Sequence, residues 1–223
     1  MNVLHFINAF FSTGANWHGQ YGIPHRIAQH LGYSFLALGI AAVIALPIGL
    51  VTGHTGRGGN ALAAIATAAR ALPSYGLLVL MFIWLGLGLT PVMIPLVALA
   101  VPPILVTTYE ALRTVDPSPV DAARGMGMGP FAVLFQVELP VALPLILSGL
   151  RSAAIQVVST AAIAANVSLG GLGRYIVDGL YQRKYEIVVG GATVIAALAL
   201  AMIAVFWVIE RLVVSPGVRR GGN

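Results

Sequence analysis

The sequence contains no cysteine and very little charge. Without cysteine there is no disulfide framework, thiol nucleophile or thiolate metal site. Only 9% of the 223 residues are charged, whereas 58% are hydrophobic. A soluble domain carries about 25% charged residues, because its surface faces water. The deficit argues against a soluble, unusually apolar protein and indicates that much of the outer surface faces lipid.

Long runs of the chain lack Asp, Glu, Lys and Arg altogether. About 20 apolar residues cross a bilayer as a helix, and the run 71–109 is long enough for two crossings. A turn is expected at 85–91, where Gly and Pro interrupt that run. We therefore predict an all-α polytopic membrane bundle with five spanning helices, at roughly 31–53, 71–89, 91–110, 143–168 and 187–209.

The basic residues indicate how this bundle lies in the membrane. With a cytoplasmic C-terminus, eight basic residues occupy inner segments and four occupy outer ones, as the positive-inside rule favours. Arg70 and Arg151 lie close to span ends, and without them the count is six against four. The segment 1–30 is then extracytoplasmic and interfacial rather than a cleaved signal. The other segments are a membrane domain, two cytoplasmic loops, an extracytoplasmic loop and a cytoplasmic tail, at 31–212, 54–70, 111–142, 169–186 and 213–223.

The longest polar loop, 111–142, has the layout of a structure that docks onto another protein. Ser118 and Pro119 suit the N-cap and first position of a short helix, and Asp121 suits its first turn. Three glycines then break the helix and leave a closely approachable backbone, at Gly125, Gly127 and Gly129. The competing interpretation is an ordinary loop that only connects two spans.

A second amphipathic stretch, 131–137, completes this loop and ends at Leu139-Pro140, where the chain is expected to re-enter the membrane. Together the two short helices and the glycines between them would form a compact projection into the cytoplasm.

The spacing in this loop resembles the cytoplasmic motif of ABC importer permeases. That motif runs Glu-Ala-Ala, three residues, Gly, nine residues, Ile, one residue, Leu-Pro. The matching positions here are Asp121, Ala122, Ala123, Gly127, Val137, Leu139 and Pro140. Asp replaces Glu and Val replaces Ile, and both changes are conservative. The position of the motif between two spans supports the resemblance.

The resemblance implies a fold, a mechanism and partners. The fold would be that of a type I ABC importer permease, and the loop would be the coupling helix, seated in a groove of a separate ATPase subunit. That partner would bind ATP and Mg²⁺, and this chain would bind no cofactor. A second permease, identical or similar, and an extracytoplasmic substrate-binding protein would complete the importer in the inner or plasma membrane.

Softer features resemble the osmoprotectant subgroup, whose permeases import glycine betaine, carnitine or choline. These features are the segments 17–26, 70–74 and 169–173, and the overall resemblance covers about residues 20–212. Relatives that import amino acids share several of them, so amino-acid import is the alternative. Aromatic cages bind quaternary ammonium groups, but the resemblance places that cage in the binding protein.

The fourth predicted span carries a polar stripe. Its members lie within an arc of about 80° on an α-helix, at Ser148, Ser152, Gln156, Ser159 and Asn166. Such a stripe faces either a water-filled path or a neighbouring helix. The two amides favour the path, since an amide in contact with lipid is costly. Arg151 is expected to snorkel or to pair with Glu138 or Glu110.

Other classes of protein lack support in the sequence. There is no Gly-x-x-x-x-Gly-Lys phosphate loop, so an ATPase partner is needed. The histidines show no zinc-ligand spacing, and no catalytic cluster indicates a membrane enzyme. A self-contained channel or secondary carrier usually has ionisable residues within its spans for ion coupling, and the predicted span centres contain none.

Overall fold

The computed structural model describes residues 2–71, 73–167 and 169–215, and within these ranges it contains helices and no strands. The predicted all-α class is confirmed. The α-helices are α1 Val3–Ser12, α2 Ile23–Thr55, α3 Gly59–Ala71, α4 Ser74–Leu85, α5 Thr90–Arg113, α6 Pro117–Gly125, α7 Pro130–Val133, α8 Leu139–Thr160, α9 Gly173–Tyr181 and α10 Tyr185–Val213. A π-helical turn, Leu134–Glu138, joins α7 to α8, and a 3₁₀-helix, Ala161–Val167, follows α8.

Four helical segments among the described residues are long and apolar enough to cross a membrane. They are α2, α5, the continuous segment Pro130–Val167 and α10. Each is longer than the predicted span to which it corresponds, and three contain that span completely; the last residue of the span 143–168 lies outside the described residues. In particular, α2 begins at Ile23, so residues 23–30 belong to the bundle and not to the N-terminal segment.

The predicted second span, 71–89, is wrong as a single helix. The 12 residues of α4 rise about 18 Å, well short of the ~30 Å hydrocarbon core. Instead α3 and α4 together run along α5: Gly59 lies against the Tyr109 hydroxyl near one end of α5, and Leu78 packs with Val92 near the other. The predicted loop 54–70 is therefore mostly helix, and Pro73 lies at the break in a two-part crossing.

The helix α5 lies at the centre and contacts α2, α3, α4 and α8. Small residues allow this close packing. A Cβ at Gly49 of α2 would lie 2.7 Å from the Thr108 side chain, and one at Gly149 of α8 would collide with Thr107. Such small-residue contacts are typical of helices that associate within membranes. The core is consequently built around α5 and is lined with alanines of α2.

The two short helices α1 and α9 pack against α10. Phe10 of α1 is fully buried, and its ring occupies the space that a side chain at Gly190 would need. The same ring meets Tyr175 of α9 edge to face, with centroids 5.3 Å apart. The N-terminal residues are thus docked onto the bundle, and the 169–186 connection is largely helical. The predicted tail, 213–223, lies mostly outside the described residues.

Candidate docking segment and translocation path

Residues 116–140, here called the docking segment, begin with a capped helix. Asp116 is the N-cap of α6: its carboxylate accepts a hydrogen bond of 2.9 Å from the Ser118 amide, and Pro117 occupies the first helical position. The predicted start at Ser118 and Pro119 is therefore two residues late. Asp at the N-cap also complements the positive end of the helix dipole.

Gly127 ends α6 in a Schellman motif. The sequence analysis predicted that glycines end this helix but did not predict the motif. Its φ of +87° is left-handed, and its amide donates to the Arg124 carbonyl at 2.9 Å. The Met128 amide donates to the Ala123 carbonyl at 3.1 Å. Both bonds satisfy carbonyls that a helix end leaves free, and glycine adopts the required backbone at least cost. Gly127 therefore closes a defined turn.

The second half of the docking segment is continuous with the membrane helix. Helix α7 leads through the π-helical turn into α8, and the Leu139 amide bonds to the Leu134 carbonyl five residues back. The predicted break at Leu139-Pro140 is absent. Pro140 lies within the first two positions of α8, where a missing N–H is tolerated. The predicted second short helix, 131–137, is therefore helical but continues into α8 without a break.

The motif residues divide into two faces. Asp121, Ala122, Gly127 and Pro140 are exposed, and Asp121 makes only a weak surface contact of 3.9 Å with Arg124. The remaining motif positions point inward. Ala123 packs against Val120 and Val133, with Val137 beside them, and Leu139 packs in the next cluster. The structure thus brings all seven residues into one small substructure, with four of them accessible.

Large apolar side chains are exposed around this accessible face. Phe131 is 80% exposed and Met126 77%, and Phe135 is also exposed. Beside Phe131 lies an apolar hollow of about 190 Å³, whose other sides are formed by Val51 and Leu134 among others. Apolar side chains concentrated on one projecting surface are typical of a protein interface. An apolar projecting surface of this kind is suited to receive a partner protein.

A side-chain hydrogen bond holds the docking segment to α2, and sequence reasoning did not find it. His54 Nδ1 donates to Glu138 Oε2 at 2.6 Å, and Glu138 is only 5% exposed. The pair borders a polar cavity of about 260 Å³ that Arg113 and Arg124 also line. The expected pairing of Arg151 with Glu138 or Glu110 is wrong.

Arg151 instead lies 3.9 Å from Glu210 of α10. This contact joins α8 to α10 and is about one-third exposed, and charges on membrane helices are expected to pair in this way.

The polar stripe lies on a surface that this chain leaves open. Ser152, Gln156, Ser159 and Asn166 are exposed, and Ser148 is half-buried. The serine hydroxyls that make described hydrogen bonds donate to carbonyls of their own helix, as Ser152 does to Ser148 at 2.9 Å. No helix within the described ranges packs over this face, so the packing alternative would require a second chain. That the polar stripe lines a translocation path remains a prediction.

The 3₁₀-helix alters the geometry of the stripe. Six residues at 120° rather than 100° rotate Asn166 by about 120° from its place on a continuous α-helix. Its side chain nevertheless remains exposed and donates to the Ile163 carbonyl at 3.1 Å. The stripe is therefore broader than predicted.

At the opposite end of the bundle, two of the three segments singled out in the sequence, 17–26 and 169–173, are joined through contacts that involve the neighbouring residues Gln29 and Tyr175. The Gly171 amide donates to Gln29 Oε1 at 2.9 Å, and Gly170 leaves no room for a Cβ beside that amide. The Tyr175 hydroxyl donates to the Tyr21 carbonyl at 2.6 Å. Burial raises the pKa of Tyr175, and the nearby Arg26 offsets part of this effect. Among the described residues, no cluster of His, Asp and Glu is placed to hold a metal.

Comparisons with known proteins agree with one another. The sequence profile of the family described as "Binding-protein-dependent transport system inner membrane component" matches residues 45–220. The choline transport system permease protein OpuBB of Bacillus subtilis is 30% identical over 97% of this chain and 98% of its own length. The glycine betaine/carnitine/choline permease OpuCB of the same organism is 30% identical over 87% of this chain and 90% of its own length.

Among solved structures, a chain of the MetNI methionine ABC transporter in an inward-facing conformation superposes with a TM-score of 0.73. It is 26% identical, and the match covers 86% of this chain and 96% of that one. This likeness confirms the predicted type I importer architecture.

Proposed function

The chain belongs to the family of binding-protein-dependent transport system inner membrane components, and we propose that it is the permease of an ATP-driven importer for osmoprotectants such as choline, carnitine or glycine betaine. As a member of that family it is a multi-pass membrane protein that translocates solute and is not an enzyme. The observation that carries the solute class is the match to a choline permease along 97% of this chain.

The accessible face of the docking segment supports an ATPase subunit as the partner. Asp121 and Ala122 lie exposed on α6, and Phe131 projects beside them. The compact, capped turn between them presents a fixed shape, as a docking element requires. ATP and Mg²⁺ bind to that partner, and hydrolysis takes place there.

Two further parts of the importer are proposed from the same geometry. A second permease copy, or a similar permease, covers the open polar stripe on α8, so that the path lies between the two chains. An extracytoplasmic binding protein delivers the solute at the end of the bundle that holds Arg26 and Arg174.

The charges near the docking segment support an orientation with this end of the bundle in the cytoplasm. Arg57, Arg113 and Arg124 lie at this end, which the positive-inside rule assigns to the cytoplasm. Arg70 lies one residue before the end of α3, within the two-part crossing, so it is not counted as a loop residue. Seven basic residues then lie on the cytoplasmic side and four on the outer side. The N-terminus is then extracytoplasmic and the C-terminus cytoplasmic.

Uptake by the complete importer in proteoliposomes tests the solute class. We expect ATP-dependent uptake of labelled choline, carnitine or glycine betaine that excess methionine or histidine does not inhibit. Uptake of an amino acid in place of all three would refute the osmoprotectant assignment and support the alternative, which the likeness to the methionine transporter favours.

A bulky substitution tests the docking role. Ala122→Trp should abolish association with the ATPase and uptake while leaving membrane insertion intact, because the side chain would project from the exposed face of α6. Gln182→Trp, also on an exposed position but at the opposite end of the bundle, is the control. Unchanged association and uptake in Ala122→Trp would exclude α6 as the docking element.

A further inference from the structure

A cleft at the end of the bundle opposite the docking segment has the properties of an anion site. Its volume is about 340 Å³, and it opens between the start of α2, the loop before α9 and α9 itself. Its lining residues are Tyr21, Arg26, Leu169, Gly170, Arg174 and Asp178. We propose that this cleft binds a carboxylate, and that Arg26 is the residue that recognises it.

Within the part of the chain that the structure describes, Arg26 is a buried cation without a counter-ion. It is 9% exposed, and its Nε has no hydrogen-bond partner among the described residues. Its one described hydrogen bond is a long contact of 3.4 Å from a terminal nitrogen to Gln29 Oε1, which is uncharged. The Tyr21 ring lies 5.4 Å away. A guanidinium removed from water in this way is costly unless an anion with matching acceptors joins it.

The carboxylate already in the cleft is committed to another cation. Asp178 accepts hydrogen bonds from Arg174 through both oxygens, one of them from Nε at 3.2 Å. Arg174 also donates to the Ala165 carbonyl at 3.2 Å, next to the polar-stripe residue Asn166. The lining therefore carries two guanidinium groups and one carboxylate, and the net positive charge belongs to Arg26.

The surroundings of Arg26 are held in place before any ligand arrives. Gln29 is fixed by the Gly171 amide, and Gly170 packs so closely that a Cβ would lie 2.1 Å from the Gln29 oxygen. The Tyr175 hydroxyl holds the Tyr21 backbone. Because these contacts are made within the chain, a ligand need not order them, which favours binding.

The chemistry favours a carboxylate over a quaternary ammonium group. Two parallel N–H groups of a guanidinium match the two oxygens of a carboxylate, whereas the net positive charge repels a cation. The carboxylate comes either from a zwitterionic solute, such as glycine betaine or carnitine, or from an acidic side chain of the binding protein. This inference rests on the proposed function for the identity of both sources.

The test compares Arg26→Gln with Arg183→Gln in the complete importer in proteoliposomes. Arg183 is exposed, lies outside the cleft and is on the same side of the bundle, so it controls for the loss of one positive charge. The measurements are KM for glycine betaine, carnitine and choline, which has no carboxylate, and Kd of the binding protein for the importer. Loss of a charged hydrogen-bonded pair should raise the affected constant by about 10- to 100-fold.

Either source gives a distinct result. A rise of KM for glycine betaine and carnitine but not for choline identifies the solute carboxylate. A rise of the binding protein's Kd, with all three solutes affected alike, identifies an acidic side chain of that protein. If Arg26→Gln changes neither constant more than Arg183→Gln does, the proposal is wrong.

Thermal unfolding of the purified chain separates this proposal from its premise. Acetate, compared with chloride at equal ionic strength, should raise the Tm of the wild type and not that of Arg26→Gln. Arg26→Gln without acetate should be at least as stable as the wild type, since it removes an uncompensated buried charge. A lower Tm, or no effect of acetate on the wild type, would overturn the site. Failure of the wild type to take up any of the three solutes would instead count against the proposed solute class.

Discussion

Gly127 distinguishes two explanations of why the docking segment contains glycine. In the first, the left-handed backbone at the end of α6 requires it, since its φ is +87°. In the second, a partner surface approaches so closely that no side chain fits. The neighbouring Gly125 and Gly129 provide the comparison, because a Cβ at any of the three positions would meet nothing within 4 Å in this chain. Only Gly127 has a positive φ among them.

The backbone explanation gives a magnitude. A left-handed conformation costs an L-residue with a Cβ about 1–2 kcal/mol, and asparagine adopts it more readily than alanine. If the ATPase binds only the closed turn, Gly127→Ala should weaken binding by about 5- to 30-fold. Gly127→Asn should lie between the wild type and Gly127→Ala. Gly125 lies in a helix, where alanine is favoured over glycine by about 1 kcal/mol. The Gly125→Ala variant should therefore bind the ATPase as the wild type does.

The assay is the Kd of the purified ATPase subunit for the permease in nanodiscs, measured together with solute uptake. Gly129→Ala, at a position with φ −71°, is a second control. The backbone explanation would be refuted if the alanine variants at 125, 127 and 129 weakened binding equally. It would also fail if Gly127→Asn bound more weakly than Gly127→Ala, because side-chain size would then decide the outcome.

Three further predictions concern stability, and detergent-solubilised protein is the material for each. His54→Leu leaves the Glu138 carboxylate buried without its partner and should lower the free energy of unfolding by about 3 kcal/mol. Adding Glu138→Leu should restore most of that stability. A double variant that is no more stable than the single variant would contradict the pairing. Gly170→Ala would push the Gln29 side-chain amide away from the Gly171 amide, and loss of that hydrogen bond should cost about 1 kcal/mol. Gly39→Ala, with open space around it, should cost nothing. Because the pKa of Tyr175 is raised in the folded chain, the folded state retains a proton that the unfolded state loses. The contribution of Tyr175 to stability should therefore be complete below pH ~10 and decrease above it. Tyr175→Phe should show a smaller decrease, and an equal decrease would mean that another group causes it.

The apolar pattern predicts the long helices because lipid imposes a simple requirement on them: about 20 residues without charge. It fails for the two-part crossing. Most of α3, residues 59–69, lies between Arg57 and Arg70 in a stretch too short to span, so the sequence pattern predicts a loop there. The two helices are separated by a break at Pro73. Only the packing of both helices along α5 shows that α3 and α4 together form one crossing.

The candidate sites show a similar division between local and distant information. The spacing of the docking motif is local, so the sequence identifies it. The partner of Glu138 is His54, 84 residues away, and the partner of Arg151 is Glu210 on α10. The sequence analysis expected Glu138 or Glu110 as the partner of Arg151, because nothing in a single sequence specifies which distant helices meet. The buried charge of Arg26 was missed for the same reason.

The contacts of the docking segment also determine what can move with it. Continuous helix links it to α8, with a hydrogen bond from Leu139 to Leu134 in the π-helical turn and no glycine between them. The pair of His54 and Glu138 links it to α2. Since α2 packs on α5 through close contacts such as that of Gly49, all three helices share rigid attachments. A displacement of the docking segment from α7 onward is therefore expected to move α8 together with α2, and the polar stripe on α8 with them.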